Sequence, residues 1–310
     1  MLLGIKVDID TERGTRIGLP NLEKLFLVHN IPATFLFTLG PDNTGRALKR
    51  IFRPGFLKKV SRTSVLKTYG LRTLLNGVLW PGPFIAKRHA ALMQATCRHG
   101  FEVGIHSYDH TYWQDGVSTL PEDKIQAEFK RACDTFLDVF RFPAKTAGAA
   151  GWQANVKTLR AYDAQHLVYA SDCRGTSPFF PHIEGQTFQA LQLPTTLPTL
   201  DELLGRPDYP ESTLVDYYMG LLKTDQPNIF TVHTEIEGMA QLAFMERFVI
   251  AAKKKGVVFK TLAEIAQPYL ENKQTTPVCD FIQGSVEGRS GLLSMQGAAL
   301  TFDSLSQINT

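Results

Sequence analysis

Short apolar runs alternate along this chain with longer segments in which apolar residues recur every three or four positions. Eight runs have the length and the bounding turn residues of buried β-strands: LLGIKVDI, ATFLFTL, FEVGIH, AKTAGA, LVYAS, TFQALQL, NIFTVH and GVVF. Helical spacing marks intervening segments such as NLEKLFLVHN, PEDKIQAEFKRACDTFLDVF and MAQLAFMERFVIAAKKKG. The last ends in a lysine run and Gly256, which is typical of a helix C-terminus. This alternation predicts an α/β protein with a mainly parallel sheet, and the number of strands favours a (β/α) barrel.

Ionisable residues stand where four of the predicted strands end. Asp8 and Asp10 close the first strand, His106 the third, Asp172 the fifth and His233 the seventh. In a (β/α) barrel the active site forms at the carboxyl ends of the strands. The sequence therefore predicts that these side chains share one rim of the barrel.

The spacing of His106 and His110 suits metal binding. One helical turn between them would direct both imidazoles at a single ion. A carboxylate would complete a three-ligand site that leaves one position for water. Asp8 and Asp10 lie two residues apart, so a regular strand would send both to the same face. They can divide the roles of metal ligand and general base.

His233 supplies the remaining element of a hydrolytic site. It can approach a leaving group from the far side of the barrel and donate a proton to it. Asp172 can hold its imidazole and raise its pKa by charge proximity. Together with the metal ligands, these residues predict metal-assisted hydrolysis of an amide or ester.

Composition narrows the class of protein. The 310 residues are 44% hydrophobic and 20% charged, which favours a folded chain with a large core over a disordered one. The four cysteines are widely spaced and form no C-x-x-C pair, so we expect reduced thiols and a cytosolic setting. Asp8 and Asp10 would interrupt the apolar core of a signal peptide, and no apolar run is long enough to span a membrane.

Positive charge is concentrated between Asn43 and Phe101. This interval holds twelve Lys and Arg residues and no Asp or Glu. Apolar residues recur within it at helical spacing and end at an aromatic residue: Leu71, Leu74, Leu75, Val78, Leu79 and Trp80. A basic amphipathic segment of this kind favours contact with an anionic membrane surface, with a core-facing helix as the alternative. Since no nucleic-acid recognition module is present, we expect no nucleic acid as a partner.

Four motifs occur in the order found in a known family. VDIDT, HSYDH, the SD of SDCRG and the VH of FTVHTE resemble the motifs of the NodB-homology polysaccharide deacetylases, over roughly residues 4–265. The resemblance implies a distorted (β/α) barrel of about seven strands. It also implies a divalent metal (zinc, cobalt, manganese or nickel) held by Asp10, His106 and His110. The implied catalytic residues are the base Asp8 and the general acid His233, supported by Asp172.

Longer stretches resemble one branch of that family, the 4-deoxy-4-formamido-L-arabinose-phosphoundecaprenol deformylases. They include VDIDTERGTRIGLP, GPDNTGR, LWPG, AGAAGW, LPTTLPT and TVHTEIEG. This resemblance implies removal of a formyl group from an amino sugar linked to a polyprenyl phosphate. It implies a peripheral position on the cytoplasmic face of the bacterial inner membrane. The pathway implied is lipid A modification, which gives resistance to polymyxin and cationic antimicrobial peptides.

The basic segment would dock such an enzyme on its lipid substrate. The wider family has an Arg before a Pro-Tyr pair, but AGAAGW occupies that region here. No residue is therefore predicted to orient the base. Guanidinium groups suit phosphate and sugar oxygens, so we expect substrate contacts from Arg174, Arg16 and Arg13, with Glu235 as a sugar contact. Arg174 has pairing with a neighbour as its alternative.

The predicted domain organisation has two parts. Residues 1–270 form the deformylase domain, including the basic amphipathic insertion at 43–100, and residues 271–310 form a partly mobile extension. Two other functions remain open. One is N-deacetylation of a polysaccharide or other amino sugar, and the other is a non-catalytic, membrane-docking sugar-binding protein.

Overall fold

The computed structural model describes residues 1–47, 70 and 73–300. Its strands are β1 (Leu2–Ile9), β2 (Thr34–Thr38), β3 (Glu102–Ser107), β4 (Thr146–Ala147), β5 (Tyr169–Ala170), β6 (Phe180–Ile183), β7 (Gln186–Thr187), β8 (Leu191–Gln192), β9 (Asn228–His233), β10 (Val258–Lys260), β11 (Val278–Gly284) and β12 (Leu293–Ala299). Its main helices are α1 (Leu19–His29), α2 (Ile85–Arg98), α3 (His110–Gly116), α4 (Glu122–Phe140), α5 (Val156–Ala164), α6 (Leu200–Leu203), α7 (Leu214–Leu221), α8 (Leu242–Lys254) and α9 (Leu262–Glu271).

The larger sheet is parallel and curves into a partly closed barrel. Its strands follow the order β10-β1-β2-β3-β4-β5-β8, and β9 also pairs with β1. The chain that follows β8 then reaches β9, where the Leu197 N–H donates to the Ile229 carbonyl over 3.2 Å. This architecture confirms the predicted α/β barrel of about seven strands. The predicted insertion at 43–100 is described only in part, because residues 48–69, 71 and 72 lie outside the described residues.

The barrel strands form where the sequence is apolar without alternation. From Leu3 onward every residue of β1 is buried, as expected for a parallel strand covered on both faces. Leu36 on β2 fills the interior beside glycines on the two following strand segments. A Cβ at Gly104 or Gly148 would lie 2.7 Å or 2.6 Å from the Leu36 side chain. Leu36 therefore occupies space that a side chain at either glycine would need.

The predicted helices form, with ends set by local chemistry. NLEKLFLVHN lies in α1, which ends at Asn30 in the left-handed conformation (φ 50°). The pattern at 121–140 forms α4, which begins directly after Pro121. The pattern at 239–256 forms α8 only from Leu242, because Ile236–Ala240 adopts a wider π-helical turn. No helix among the described residues is long and apolar enough to cross a membrane.

A second, smaller sheet packs against β8 and the turn at Ala150–Trp152. Its strand order is β12-β11-β6-β7, in which β11 runs parallel to β6 and antiparallel to β12. Residues after Asn272 carry no clear periodicity in the sequence, yet two of these strands come from there. The division into a 1–270 domain and a 271–310 extension stays a prediction, and residues 301–310 lie outside the described part of the chain.

Candidate metal centre and active site

Three side chains converge at the carboxyl end of the barrel. Asp10 lies just past β1, His106 lies in β3, and His110 begins α3. Asp10 Oδ1 is 3.2 Å from His106 Nε2 and 3.5 Å from His110 Nε2. One donor atom from each of the three residues lies within 4.8 Å of the others. The arrangement is that of a three-ligand metal site.

The two histidines meet through a turn between a strand and a helix. The spacing suggested a single helical turn, but His106 belongs to β3 and the helix starts only at His110. Asp109 caps that helix, accepting the Tyr112 N–H at 3.0 Å. Its other oxygen accepts a 2.6 Å hydrogen bond from Asn43 Nδ2. The Asp within the H-x3-H motif therefore shapes the turn that brings the imidazoles together.

The electrostatics of this group suit a bound cation. Burial opposes ionisation of Asp10, but the imidazoles of His110 and His106 outweigh it and hold the pKa of Asp10 well below its usual range. Burial likewise lowers the pKa of His106, yet the Asp8 and Asp10 carboxylates outweigh burial and raise it. Asp10 Oδ1 is buried and makes no hydrogen bond despite its two imidazole neighbours. Two imidazole nitrogens and one carboxylate oxygen form a donor set that fits a divalent ion.

Asp8 and His233 stand next to this cluster. They are register partners on the adjacent parallel strands β1 and β9, so both side chains are on the same face of the sheet, one strand spacing apart. Asp8 is buried, and its Oδ1 is 3.8 Å from His106 Nδ1. The ring of His233 meets Trp152 edge to face, with centroids 6.4 Å apart. A carboxylate and an imidazole therefore lie side by side next to the cluster.

Asp172 has partners other than the predicted one. Its Oδ1 accepts from the Ala149 N–H at 2.6 Å and the Tyr162 hydroxyl at 3.0 Å. Its Oδ2 accepts from Gln192 Nε2 at 2.9 Å. Burial raises the pKa of Asp172, and these donors oppose that shift. Since His233 Nδ1 has no hydrogen-bond partner, the predicted contact between Asp172 and His233 is wrong. Asp172 instead ties AGAAGW to the end of β5.

Arg174 follows the alternative that the sequence left open. It is buried, and its Nη1 donates to Glu202 Oε1 at 2.6 Å. Its Nη2 and Nε donate to the backbone carbonyls of Leu197 and Thr195 at 3.1 Å and 3.3 Å. The donors of the guanidinium are directed at the chain itself, which favours pairing with a neighbour, and a substrate contact by Arg174 stays a prediction.

Replacing Arg174 with Gln is expected to lower the free energy of unfolding by about 3 kcal/mol, since it leaves the buried Glu202 without one of its cations. KM should stay within about twofold of the parent value. Denaturant unfolding and steady-state kinetics measure the two quantities. Arg160→Gln is the control, because its partners Glu122 and Glu184 are partly exposed and such pairs contribute about 1 kcal/mol or less. A tenfold rise in KM at unchanged stability would support the substrate role.

Glu235 also bonds to the chain itself. It is buried, and its Oε1 accepts hydrogen bonds from the backbone N–H and hydroxyl of Thr11 at 2.9 Å and 2.7 Å. Burial and, secondarily, the charge of Asp10 raise the pKa of Glu235 to about 8. The carboxyl holds Thr11, the residue that follows Asp10, and the sugar contact stays a prediction.

The two arginines after the Asp pair stay candidates. Arg16 is 54% exposed, with its Nε 3.4 Å from Glu12 Oε1. Arg13 lies on the same turn, with its guanidinium beside Gly70. His89 Nε2 also approaches Glu12 Oε1 at 2.9 Å. Glu12, two residues after Asp10 in the chain, therefore pairs with Arg16 and His89. The substrate role of the two arginines stays a prediction.

Three further side chains belong to the site. Trp152 is buried, its ring contacts that of His233 edge to face, and two cationic side chains lie over its indole. Arg289, from the loop between β11 and β12, lies 4.2 Å from the Trp152 ring centroid, and Lys6 Nζ lies 5.2 Å from it. Lys6 could have been found from the sequence, because its position two residues before Asp8 places it on the same face of the strand. Arg289 could not, because its contacts are with residues more than eighty positions away in the sequence.

The fold matches solved structures of low sequence identity. A Mycobacterium smegmatis protein named as a polysaccharide deacetylase aligns over 89% of this chain and 92% of its own, with a TM-score of 0.62 and 15% identity. A Pseudomonas aeruginosa PAO1 protein of the same description gives 0.59 at 16% identity, over 88% and 91% of the two chains. PuuE allantoinase gives 0.59 at 16%, over 89% and 92%. The fold is that of the NodB-homology polysaccharide deacetylases.

Fold and site together define a carbohydrate amide hydrolase, of the deformylase or deacetylase kind. Sequence relatives narrow this class. A Shewanella sediminis (strain HAW-EB3) protein is 34% identical over 96% of this chain and 95% of its own length. A Wigglesworthia glossinidia brevipalpis protein is 32% identical over 91% and 98%. Both are named as 4-deoxy-4-formamido-L-arabinose-phosphoundecaprenol deformylase ArnD. No protein-family profile matches the chain. The chain belongs to the ArnD deformylase family, which confirms the resemblance in its motifs.

Proposed function

We propose that this protein removes the formyl group from 4-deoxy-4-formamido-L-arabinose linked to undecaprenyl phosphate. The products are formate and the 4-amino sugar, still attached to its lipid. The name shared by its relatives supports the substrate. The observation that carries the chemistry is the position of Asp8 and His233 on adjacent strands, beside a cluster of Asp10 with two imidazoles.

Asp10, His106 and His110 would hold one divalent ion, with zinc, cobalt, manganese and nickel as the candidates. When bound, such an ion polarises the formamide carbonyl and lowers the pKa of water. Ligand chemistry alone does not select among the four metals, since imidazole and carboxylate accept each of them. The three residues come from separate elements, so a bound ion would also join the end of β1 to β3 and α3.

Asp8 and His233 would move the protons. Asp8 removes a proton from the attacking water, so that the oxygen adds to the formyl carbon. His233 then donates a proton to the sugar nitrogen as the C–N bond breaks. The amine leaves in neutral form, and formate carries the new oxygen. Asp172 supports this arrangement indirectly. It accepts the Ala149 N–H, which anchors the segment AGAAGW, and Trp152 of that segment contacts the His233 ring.

Described residues of the basic insertion support docking to a membrane. Val78, Leu79 and Trp80 are 55%, 65% and 42% exposed on one turn. Trp80 Nε1 donates to Asn76 Oδ1 at 2.9 Å, which fixes the indole on the surface. Apolar and aromatic side chains at such a position suit the headgroup region, and the basic residues of the interval suit anionic lipids. Of the amphipathic segment predicted at residues 71–80, only residues 71 and 72 lie outside the described residues. Residues 73–75 are helical, but residues 77–79 form a turn, so the helix is shorter than the spacing predicted.

We propose that the enzyme binds peripherally at the cytoplasmic face of the bacterial inner membrane. There the lipid-linked sugar would be deformylated for transfer to lipid A, which lowers binding of polymyxin and cationic antimicrobial peptides. In this proposal residues 1–270 are the deformylase domain, the insertion at 43–100 is its membrane contact, and residues 271–310 extend it.

The test is mass spectrometry of the lipid-linked 4-formamido sugar after incubation with the protein and each divalent metal in turn. A loss of about 28 Da, the mass of carbon monoxide, is expected only in the presence of a metal. An N-acetylated oligosaccharide is incubated in parallel. Turnover of the acetylated sugar alone would make the protein an N-deacetylase. Absence of turnover with either substrate, while metal is bound, would favour a sugar-binding protein.

A further inference from the structure

Lys6 is a fully buried cation in the middle of β1. Its side chain is 0% exposed, and it precedes Asp8 by two residues. Successive side chains of a strand alternate between the two faces, so Lys6 and Asp8 are on the same face. The carboxylate of Asp8 and the ammonium of Lys6 are therefore held by one rigid strand.

The ammonium has three neighbours on three elements. Lys6 Nζ is 3.3 Å from Asp8 Oδ2 and donates to the Ser171 carbonyl at 3.1 Å. It also lies over the Trp152 ring, 5.2 Å from the centroid. The space next to it is left by Gly148, where a Cβ would stand 3.3 Å from Nζ. Together these neighbours hold the ammonium in one position.

A buried ammonium is a costly way to stabilise a barrel. Removing its charge from water costs more than one ion pair returns in many proteins, and an apolar side chain of similar volume is often as stable. A role in stability alone would therefore be served as well by methionine. The position of the charge suggests a role in the reaction.

The two oxygens of Asp8 differ in a way that Lys6 accounts for. Oδ2 is held by the ammonium, whereas Oδ1 is buried and makes no hydrogen bond. Oδ1 points toward His106, whose Nδ1 is 3.8 Å away. We propose that Lys6 is the positioning residue for Asp8, holding Oδ2 so that Oδ1 is free to take the proton of the attacking water. This inference rests on the proposed role of Asp8 as base.

Lys6→Met and Lys6→Arg test the proposal with the full-length, metal-loaded enzyme. Lys6→Met is expected to lower kcat by about 10²-fold, the lower end of the effect of a misplaced general base. KM for the lipid-linked formamido sugar and metal content should change less than about twofold. Lys6→Arg, which keeps a cation, should recover at least a tenth of the parent kcat. Lys24→Met, on the exposed face of α1, is the matched control and should behave as the parent.

A double-mutant cycle with Asp8→Asn separates positioning from general damage. If Lys6 acts through Asp8, adding Lys6→Met to Asp8→Asn should lower the single-turnover rate no further. Independent, multiplicative losses would overturn the proposal, as would equal losses in Lys6→Met and Lys6→Arg at an unchanged melting temperature. Full activity in Lys6→Met with an inactive Asp8→Asn would overturn it and leave the proposed function standing. Full activity in Asp8→Asn would instead overturn the base that both proposals share.

Discussion

Replacing Asp8 with Asn is expected to lower kcat by about 10²- to 10⁴-fold, the contribution of a positioned general base. The amide keeps the shape of the side chain but cannot accept the proton of the attacking water. Metal content should not fall, because the three proposed ligand atoms belong to Asp10, His106 and His110. Deformylation rates and elemental analysis of the purified variant measure these two quantities separately.

Asp134→Asn is a matched control for this substitution, since its carboxylate is exposed on α4 and pairs only with Lys130 among the described contacts. It should retain parent activity. Loss of metal together with activity in Asp8→Asn would reassign Asp8 as a ligand and exchange the roles of the two aspartates. Parent-level turnover would remove Asp8 from the mechanism.

His106→Ala is expected to weaken metal binding by more than about 10²-fold, because removal of a direct ligand exceeds the tenfold to hundredfold cost of losing an outer partner. Its imidazole is the nearer of the two to Asp10 Oδ1, and it lies between Asp10 and Asp8. The variant should therefore lose both metal and turnover. Isothermal titration with zinc and with manganese measures the affinity, and elemental analysis after gel filtration measures retention.

His166→Ala provides the comparison, since His166 is exposed at the far end of the barrel, before β5 begins. It should bind metal as the parent does. Retention of one equivalent of metal at parent affinity in His106→Ala would contradict the ligand assignment. It would also show that Asp10 and His110 find their third partner elsewhere.

Residues whose roles depend on strand position could be predicted from the sequence. Asp8, Asp10, His106 and His233 each end an apolar run, and parallel strands bring such ends to one rim. All eight runs form strands of the barrel. The H-x3-H motif was correctly placed but for another local reason, because a capped turn replaces the expected helical turn.

Residues whose roles depend on distant partners could not be predicted in the same way. Asp172 lies at a strand end, yet Tyr162, Gln192 and a backbone N–H already occupy its carboxylate. Arg174 had the chemistry of a phosphate contact, but a buried Glu202 lies within 2.6 Å of it. A side chain with several possible partners bonds to whichever one packing brings within reach, and that choice is not local.

The sequence by itself determined the barrel, the rim on which the site lies and the kinds of residue that form it, because hydrophobic period and strand direction are local properties. The tertiary structure decided which of these side chains meet. It separated Asp172 from His233, turned Glu235 and Arg174 inward, and placed Lys6 against Asp8. Such contacts join residues far apart in the chain, and their geometry depends on how the whole barrel closes.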